Sequence, residues 1–381
     1  MSGTFTLRLE RNKALETDTL VISVLGYKSF KQPLNLIKDS ITVILESHTY
    51  HLKEVYVTDL SAAGIVAKAF DLKKKNYPTK KFKTQAFYRG LIRNDSTYQM
   101  LTEGVLTITD KGYKKLGDTK FYLNELKYID ERKFDSLDIH YDTLGESNEV
   151  INLWALDYMN YSFDKIDLFS NTLGKIKYEL DSITYFNNQP VFCISVKTFS
   201  SFENQVFIRM DNFAIIEARR KWRLPLEERS KSTTIDGKND RVEVVQYKQH
   251  NGKYYLSYAS LASSVIGGDK QKASRLAHER ARAEGSNSLD YTGLEYDGRI
   301  LDRTINNYFR YDELLITRIY NKKEKPKKGS LMERKKYVHR YNVPYRSIFW
   351  NNYNVLQLNP NLKRAKSHLK EAKIVNITKN K

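Results

Sequence analysis

The stretch from Tyr50 to Gly90, YHLKEVYVTDLSAAGIVAKAFDLKKKNYPTKKFKTQAFYRG, decides how this chain is organised. Its first residues alternate between apolar and polar as in a β-strand, its centre carries the spacing of an amphipathic helix, and its end alternates again. The pattern predicts one helix that joins a small β-module on its N-terminal side to a much larger β-module on its C-terminal side.

The central part of this stretch predicts a helix within residues 59–79. Asp59 or Ser61 can cap the N-terminus of the helix, and Pro78 prevents its continuation. The lysines at 73–75 lie in the last turn, where cations stabilise the exposed carbonyl groups. The apolar residues that recur on one stripe are Ala62, Ile65, Val66, Ala69, Phe70 and Leu72. We expect this stripe to pack on the larger sheet.

The composition is that of a β-rich folded protein. The 381 residues are 40% hydrophobic and include 27 Tyr and 17 Phe, which is enough apolar material for a large core. No stretch approaches the roughly 18 uncharged apolar residues of a membrane-spanning helix. The single cysteine, Cys193, excludes an internal disulfide and a multi-cysteine metal site, and we interpret it as a packing residue.

Positive charge is concentrated near the C-terminus. The formal net charge is +19, and residues 321–381 contain 17 Lys and Arg against three Glu, a net charge of +14. One interpretation is a solvated tail in a chain of biased composition. The other is a basic segment that contacts a lipid or an anionic membrane surface, with nucleic acid as the less favoured anion. On the second interpretation, liposome binding requires anionic lipid, weakens with salt and is lost without this segment.

Residues 4–58 contain four strand-like patterns, TFTLRL, TLVISVLGYKSF, SITVILES and LKEVYVT. The runs DTLVISVLGYKSF (18–30) and DSITVILESHTYHLKEVYVT (39–58) resemble the C-terminal half of the carboxypeptidase-regulatory-like domain of Bacteroidetes envelope proteins. The first half of that domain would precede Thr4 and is missing. We therefore hypothesise that the natural gene product starts upstream, with the missing strands and a signal peptide for export to the periplasm or outer membrane. An in-frame stop codon just before Met1 would contradict this hypothesis.

The resemblance continues through the helix, towards the non-transporter members of the same group. In these members an asparagine-tyrosine-proline, a phenylalanine-tyrosine-arginine and a later glutamate recur, and an aromatic motif lies near the end. The matching residues in this chain are Asn76, Tyr77, Pro78, Phe87, Tyr88, Arg89, Glu103, Phe349 and Trp350. Tyr345 precedes the last two with a spacing one residue longer than the resemblance implies.

The segments FKTQAFYRGLIRND and TYQMLTEGVLTITD predict a hairpin around Asp95 and Ser96. A three-residue loop that ends at Thr97 places Arg89 directly opposite Glu103, whereas a two-residue loop places them on opposite faces. We prefer the first register, because it lets the arginine and the carboxylate neutralise each other within the sheet. We interpret the two residues as a structural ion pair rather than as catalytic groups.

Residues 174–263 predict an antiparallel meander with turns at Asn187–Asn188, Asp211–Asn212 and Asn251–Gly252. Within it, QVFIRMDNFAIIEARRKW (205–222) resembles the strand-turn-strand of bacterial lipoprotein-carrier folds, in which a curved sheet forms a half-barrel for acyl chains. Two alternatives follow for this sheet. It is filled by its own aromatic side chains, or it encloses a lipid cavity.

The segments on either side of the meander give weaker patterns. Residues 111–172 give the least readable pattern; within them, residues 133–150 are interpreted as loop with a short strand at 137–141, and INLWALDYMNYSF is interpreted as a short helix that buries Trp154. Residues 267–288 are interpreted as an exposed helix or a mobile loop.

Three features are predicted for the C-terminal part of the chain. YFRYDELLITRIY is the final strand, and residues 322–340 are a flexible basic linker. Beyond the linker, Phe349, Trp350 and Tyr353 are expected to dock back on the main sheet.

The sequence contains no catalytic or metal-binding motif in a supporting context. HLKE, from His51 to Glu54, has the HxxE spacing of a zinc site, but positions three apart in a strand point to opposite faces. The chain also lacks a GxSxG elbow, a phosphate-binding glycine loop, an HExxH motif and a calcium loop. We therefore predict no cofactor, no metal and no enzymatic activity.

The sequence as a whole predicts a mainly β protein. Its predicted parts are a partial β-sandwich (1–58), a linking helix (59–79), a large curved antiparallel sheet with a half-barrel as one form (80–320), and a basic aromatic C-terminal segment (321–381). Its predicted function is that of a non-enzymatic cell-envelope module that binds an envelope protein or a glycan. The alternative is a periplasmic carrier of lipid or another hydrophobic ligand, and a hydrolase is the remote alternative.

Overall fold

The computed structural model describes the greater part of the chain. The described residues are 18–37, 41–47, 49–50, 59–94, 97–113, 119–130, 148–157, 159, 176–197, 202–223, 238–266, 308–334 and 336–353. Within them the protein is mainly β, as predicted, with helices of which none has the length and hydrophobicity needed to cross a bilayer.

The described strands and helices are numbered in chain order. The strands are β1 Thr19–Ile22, β2 Phe30–Pro33, β3 Thr49–Tyr50, β4 Phe82–Asn94, β5 Thr97–Asp110, β6 Lys120–Asp130, β7 Lys177–Phe186, β8 Gln189–Lys197, β9 Phe202–Arg209, β10 Ile215–Arg223, β11 Lys238–His250, β12 Lys253–Ile266, β13 Tyr308–Ile319 and β14 Ser330–Leu331. The helices are α1 Ala62–Asp71, α2 Lys73–Asn76, α3 Glu149–Ala155 and α4 Ser347–Asn352, and short 3-10 turns occur at Leu34–Leu36 and Val338–Arg340.

One antiparallel sheet contains all these strands except β1 and β2, which pair with each other. Its strand order is β14-β6-β5-β4-β13-β12-β11-β10-β9-β8-β7-β3. The predicted meander is confirmed as β7 to β12, and a second meander runs from β4 to β6. Strand β13, predicted as the final strand, lies between β12 and β4 and joins the two meanders through two long antiparallel pairings.

The predicted turns of the first meander are confirmed. Asn187 and Asn188 have φ of 51° and 59°, and Asn251 and Gly252 have φ of 49° and 75°, which is the left-handed conformation that two-residue hairpins require. Asparagine and glycine adopt it at low cost, so these turns are encoded locally. The turn after β9 also forms, with Phe213 at φ 56°.

The β4–β5 hairpin has the predicted pairing but a different loop. Arg89 lies opposite Glu103, as expected. Asn94 pairs with Thr97, so two residues rather than three separate the strands, and a bulge shifts the register between Ile92 and Arg93. The bulge supplies the extra residue that the longer loop was expected to supply.

The predicted linking helix is confirmed as α1, followed by the short turn α2. Ser61, not Asp59, caps it, because the Ser61 Oγ accepts a hydrogen bond of 3.1 Å from the backbone N–H of Gly64. Ile65, Val66 and Ala69 are buried, and α1 packs on the large sheet at β7. The apolar stripe therefore lies where the sequence places it.

The main core lies between one face of the sheet, here called the helix face, and helices α1, α2 and α3. Trp154 on α3 is fully buried, as predicted, and its ring meets Phe121 edge-on with centroids 5.9 Å apart. Cys193 is also buried, beside Phe207 on the sheet face opposite the helices, and burial raises the pKa of its thiol to about 11. This cysteine therefore packs as predicted.

Three parts of the secondary structure differ from the prediction. Residues 41–46 form no strand, and the short β3 pairs with β7 of the large sheet, with Thr49 opposite Thr184. Strand β6 lies in the part of the chain with the least readable pattern, where no strand was predicted; a bulge at Asn124, between the paired residues Leu123 and Glu125, interrupts its alternation. Strand β2 forms where no separate strand was expected.

The basic segment at 322–340 is not simply a linker. Strand β14 extends the sheet by pairing with β6, and the 3-10 turn at Val338–Arg340 buries Val338. Its lysine-rich composition suggested a solvated chain, but its backbone and a few apolar side chains attach it to the sheet edge.

Several predictions fall outside the described residues. These are the strand patterns at 4–9 and 52–58, the HxxE at 51–54, the strand at 137–141, the helix or loop at 267–288 and the tail beyond 353. The division of the chain into parts 1–58, 59–79, 80–320 and 321–381 stays a prediction.

Candidate functional site

A buried ion cluster lies on the sheet face opposite the helices, here called the polar face. Arg89 on β4 is flanked by Glu103 on β5 and Glu313 on β13, because both pair with it in register. The Arg89 Nη2 and Nε donate to Glu103 Oε1 at 3.0 and 3.1 Å, and its Nη1 donates to Glu313 Oε1 at 3.1 Å. Lys127 on β6 donates to Glu103 Oε2 at 3.4 Å. We call these four residues the Arg89 cluster.

Two tyrosines extend the Arg89 cluster along the sheet. Tyr311 donates to Glu313 Oε2 at 3.0 Å, and the hydroxyl groups of Tyr311 and Tyr258 lie 2.7 Å apart. Burial, and then the nearby Glu313 carboxylate, raise the pKa of both tyrosines above the ordinary value. Both hydroxyls therefore remain protonated and act as hydrogen-bond donors.

The charged groups of the Arg89 cluster are buried or half-buried and pair with one another. Arg89 and Glu103 are each only 2% exposed, and the cluster balances two positive against two negative groups. A catalytic arginine or carboxylate needs an open side towards a substrate, and here the two groups face each other. The arrangement agrees with the predicted structural ion pair.

The aromatic segment 345–353 covers the polar face beside the Arg89 cluster, and we call it the aromatic cover. Phe87, Val105 and Trp350 form one apolar group, against which Tyr345, Phe349 and Tyr353 pack. Arg346 forms an ion pair with the buried Glu125. The predicted docking of Phe349, Trp350 and Tyr353 on the main sheet is thus confirmed.

A second buried carboxylate site lies on the helix face. Tyr88 donates to Asp312 Oδ1 at 2.8 Å, and Arg310 donates to the same carboxylate at 2.5 and 3.3 Å. Glu149, at the first turn of α3, lies 3.9 Å from Arg310 and accepts the backbone N–H of Val338 at 2.9 Å. Burial raises the pKa of Glu149 to about 7. The nearby Asp312 carboxylate also raises this pKa, whereas the positive charge of Arg310 lowers it.

The pKa of Glu149 gives a testable dependence of stability on pH. Between its ordinary value of 4.5 and about 7, the unfolded chain releases the proton while the folded protein keeps it. The free energy of unfolding therefore falls as the pH rises through this window. Above about pH 7 the contribution of the Glu149 proton to stability is fully lost. Glu149→Gln keeps the acceptor for Val338 but removes the ionisation.

We expect the Glu149→Gln variant to match the native protein in thermal midpoint at about pH 5 and to exceed it at about pH 8. Glu179→Gln, which alters an exposed ion pair with Lys197, is the matched control and should leave the pH profile unchanged. Equal profiles for the native protein and the Glu149→Gln variant would contradict the buried proton.

A third polar cluster, also on the helix side, is centred on Asp157 just after α3. Tyr113 donates to Asp157 Oδ2 at 2.7 Å, and Tyr247 donates to Oδ1 at 2.8 Å. The ring of Tyr77 lies against Tyr113 and Tyr247, with centroids 5.7 and 5.6 Å apart, and its hydroxyl donates to the Ile215 carbonyl at 2.7 Å. Burial raises the pKa of all three tyrosines well above 10. We call Asp157 and these tyrosines the Asp157 cluster.

The residues of the family-like motifs do not converge on one pocket. Asn76 and Tyr77 anchor the end of α2, with the Asn76 side chain donating to the Asn212 carbonyl at 2.8 Å, and the Pro78 carbonyl accepts the N–H of Tyr113 at 2.8 Å. Tyr88 belongs to the Asp312 site. The remaining motif residues, Phe87, Arg89, Glu103, Phe349 and Trp350, adjoin one another on the polar face.

The sequence interpretation missed several buried acids, among them Glu149, Asp157, Asp312 and Glu313. Two of them carried a usable signal. Asp312 and Glu313 interrupt the otherwise aromatic and aliphatic run YFRYDELLITRIY, and charged residues within a buried strand require partners. The described residues hold no group of three or more His, Cys, Asp and Glu that can hold a metal ion.

The fold and these clusters define a class of protein: one large antiparallel sheet, with helices on one face and a C-terminal aromatic cover on the other. The chain matches no protein-family model and no curated protein. Among solved structures it is similar to a LolA superfamily protein from Nitrosomonas europaea, with 8% identity over 68% of this chain and 94% of that chain, at a TM-score of 0.22.

Two further solved structures concern the protein MucB. MucB in complex with MucA(peri) has 6% identity and a TM-score of 0.18, covering 54% of this chain and 80% of that chain. The Pseudomonas aeruginosa MucA/MucB complex has 8% identity and a TM-score of 0.20, covering 67% and 93%.

Proposed function

We propose that the protein is a non-enzymatic binding module of the cell envelope, which engages a partner protein or a glycan on its surface. The observation that carries the proposal is the filled helix face of the sheet. Tyr77, Tyr113, Tyr247 and Trp154 are all buried between the strands and the helices, so the described interior is occupied by the chain itself. A ligand then has to bind outside this core.

The polar face offers surface for such a partner. The aromatic cover lies over β4 and β5, whereas the described residues leave part of β9 to β11 accessible. There Lys221 and Glu203 form an exposed ion pair of 3.5 Å, and Val242 is 37% exposed. A surface of mixed charge with an apolar centre is suited to a protein or glycan partner.

The envelope location rests on the family resemblance of residues 18–30, 39–58 and the motifs that follow. It is proposed together with the non-enzymatic role, which is supported by the mutual neutralisation in the Arg89 cluster. Neither Arg89 nor Glu103 faces solvent.

Native mass spectrometry of the protein purified from a bacterial envelope, followed by organic extraction, tests the proposal. We expect a bare protein mass, and cross-linking in the cell should yield a discrete adduct with a protein or glycan. A photo-reactive residue at Val242 should capture the partner, while the same residue at Lys68, exposed on α1, serves as the control. A co-purifying lipid without any such adduct would contradict the binding module.

A hydrophobic-ligand carrier is the second candidate. The observation that favours it is the light attachment of α1, which buries only Ile65, Val66 and Ala69 among its own side chains. Displacing this helix would expose apolar sheet residues such as Ile183 and Ile194, a surface suited to acyl chains. A lipid mass in the extraction experiment would make this candidate the leading one.

A further inference from the structure

A cavity of about 450 Å³ opens on the polar face at one end of β4, β5 and β6. It is lined by Lys81, Lys83, Thr109, Lys111, Lys120, Tyr122 and Lys328. Five of these residues are lysines, and none of the described residues that line the cavity is acidic. We propose that this cavity binds a polyanion, a ligand that carries two or more phosphate or sulfate groups.

The floor of the cavity is set by strand register. Lys83 on β4 pairs with Thr109 on β5, and Thr109 pairs with Lys120 on β6, so the three side chains lie in a row on one face. Tyr122 lies two residues along β6 from Lys120 and points to the same face. The sheet therefore holds one lysine on each side of Thr109, with the aromatic ring of Tyr122 next to them.

The C-terminal segment supplies the wall of the cavity. The Lys328 Nζ lies 5.2 Å from the centroid of the Tyr122 ring. The backbone around Lys328 is attached on both sides, since Thr107 donates to the Lys327 carbonyl at 2.9 Å and the Gly329 N–H donates to Asn124 Oδ1 at 2.7 Å. A Cβ on Gly329 would collide with the backbone of β6, so glycine permits this close approach. Lys328 is thus positioned by the fold.

Thr109 provides an independent indication of a ligand. Its side-chain hydroxyl is buried and has no hydrogen-bond partner, although the residue lines the cavity. A buried hydroxyl without a partner costs free energy, and native proteins rarely retain one without a reason. A rotation about χ1 would bring this hydroxyl to the cavity, where an oxygen of a bound phosphate or sulfate would accept a hydrogen bond from it.

The charge of the cavity favours a ligand with several negative groups. Lys81, Lys83, Lys120 and Lys328 bring like charges to one cavity, and a single monovalent anion leaves most of their mutual repulsion in place. Lysine presents a compact charge on a flexible stem, which suits phosphate or sulfate oxygens at varied positions. Lys83 also donates to the Glu324 carbonyl at 3.3 Å, and its ammonium group has three donors in all.

This site goes beyond the proposed function, because the same observations support it whether the partner on the rest of the surface is a protein or a glycan. It also gives a specific place to the basic charge of the C-terminal segment, through Lys328. A phosphorylated lipid headgroup and a free polyphosphate or sulfated sugar share the required chemistry.

Titration calorimetry of the full chain with sodium tripolyphosphate tests the proposal, with inorganic phosphate as the comparison. We expect tripolyphosphate to bind, and to bind more weakly at higher salt. A triple variant, Lys83→Gln, Lys120→Gln and Lys328→Gln, should weaken binding by about tenfold or more. The matched control, Lys68→Gln, Lys74→Gln and Lys75→Gln, removes the same charge from exposed positions on the helices and should bind as the native protein does.

Two outcomes would overturn the site. Equal weakening in both triple variants would mean that binding follows net charge rather than the cavity. Binding of inorganic phosphate as tight as that of tripolyphosphate would exclude recognition of several charges.

A Thr109→Val variant separates a ligand role from a structural one. Valine keeps the shape of the side chain and its preference for a strand, and it removes the unpaired hydroxyl. We expect a higher thermal midpoint without ligand, and tripolyphosphate binding weaker by about threefold or more. A higher midpoint with unchanged binding would overturn the site as proposed.

Vesicle flotation then distinguishes the source of the anion. Phosphatidylcholine vesicles with diphosphoryl lipid A, and matched vesicles without it, are mixed with the native protein and the cavity triple variant. Retention on the lipid A vesicles that is lost in the variant would support a phosphorylated headgroup. Tripolyphosphate binding without vesicle retention would support a free polyanion.

Discussion

Replacement of Arg89 by methionine is expected to lower the free energy of unfolding by about 3–5 kcal/mol. The substitution leaves Glu103 and Glu313 buried on neighbouring strands, with Lys127 as the remaining cation of the Arg89 cluster. Methionine fills much of the same volume, so the loss measures the uncompensated charge more than a cavity. Urea unfolding followed by tryptophan fluorescence gives the value.

Two comparisons make the Arg89 result specific. Arg318→Met breaks an exposed ion pair with Glu324 and should cost less than about 1 kcal/mol. Adding Glu313→Gln to Arg89→Met should recover part of the loss, because glutamine still accepts from Tyr311 and Glu103 keeps Lys127. A loss no larger than that of Arg318→Met would contradict the structural role of the cluster.

Replacement of Asp157 by alanine is expected to cost a similar amount, about 3–5 kcal/mol. The carboxylate accepts hydrogen bonds from Tyr113, Tyr247 and the backbone N–H of Met159, and Asp157 is fully buried. Alanine leaves these donors without their acceptor inside the core, where water cannot replace it. The same cluster connects the segment after α3 to β11 and to the end of α2, so its loss should loosen the helix side of the core.

The Asp157 prediction also has a matched comparison. Asp181→Ala removes an acid that accepts from Ser195 and Gln205 at an exposed position, so water can take its place and the cost should stay below about 1 kcal/mol. Hydrogen exchange of the α1 and α3 amides should accelerate in Asp157→Ala alone. Equal stability of the two variants would mean that the tyrosine hydroxyls are not held by Asp157.

Local sequence was sufficient for several elements. The Ser61 cap and the stripe of Ile65, Val66 and Ala69 specify α1, and the Asn-Asn and Asn-Gly pairs specify their turns, because neighbouring residues carry the whole signal. The Arg89–Glu103 pairing was also predictable, since both residues belong to one hairpin. Even in this hairpin the bulge was not predicted, because a bulge and a loop that is one residue longer shift the strand register by the same amount.

Long-range features were not predictable in the same way. Nothing within YFRYDELLITRIY shows that β13 lies between β4 and β12, so the partner Glu313 of Arg89 remained hidden. Likewise, the residues around Asp157 and Glu149 in the sequence give no sign that these acids are buried. They become buried groups only because α3 is placed against distant strands.

The sequence by itself determined the mainly β composition, the linking helix, the hairpin turns with the ion pair of the β4–β5 hairpin, and the basic charge of the C-terminal segment. All of these depend on residues that are close together in the chain. Only the tertiary structure decided which strands adjoin, which acids lose water, and that Lys328 reaches across to Lys83, Thr109 and Lys120. The physical reason is that burial and charge density depend on contacts between segments far apart in sequence, and such contacts leave no periodic pattern in either segment.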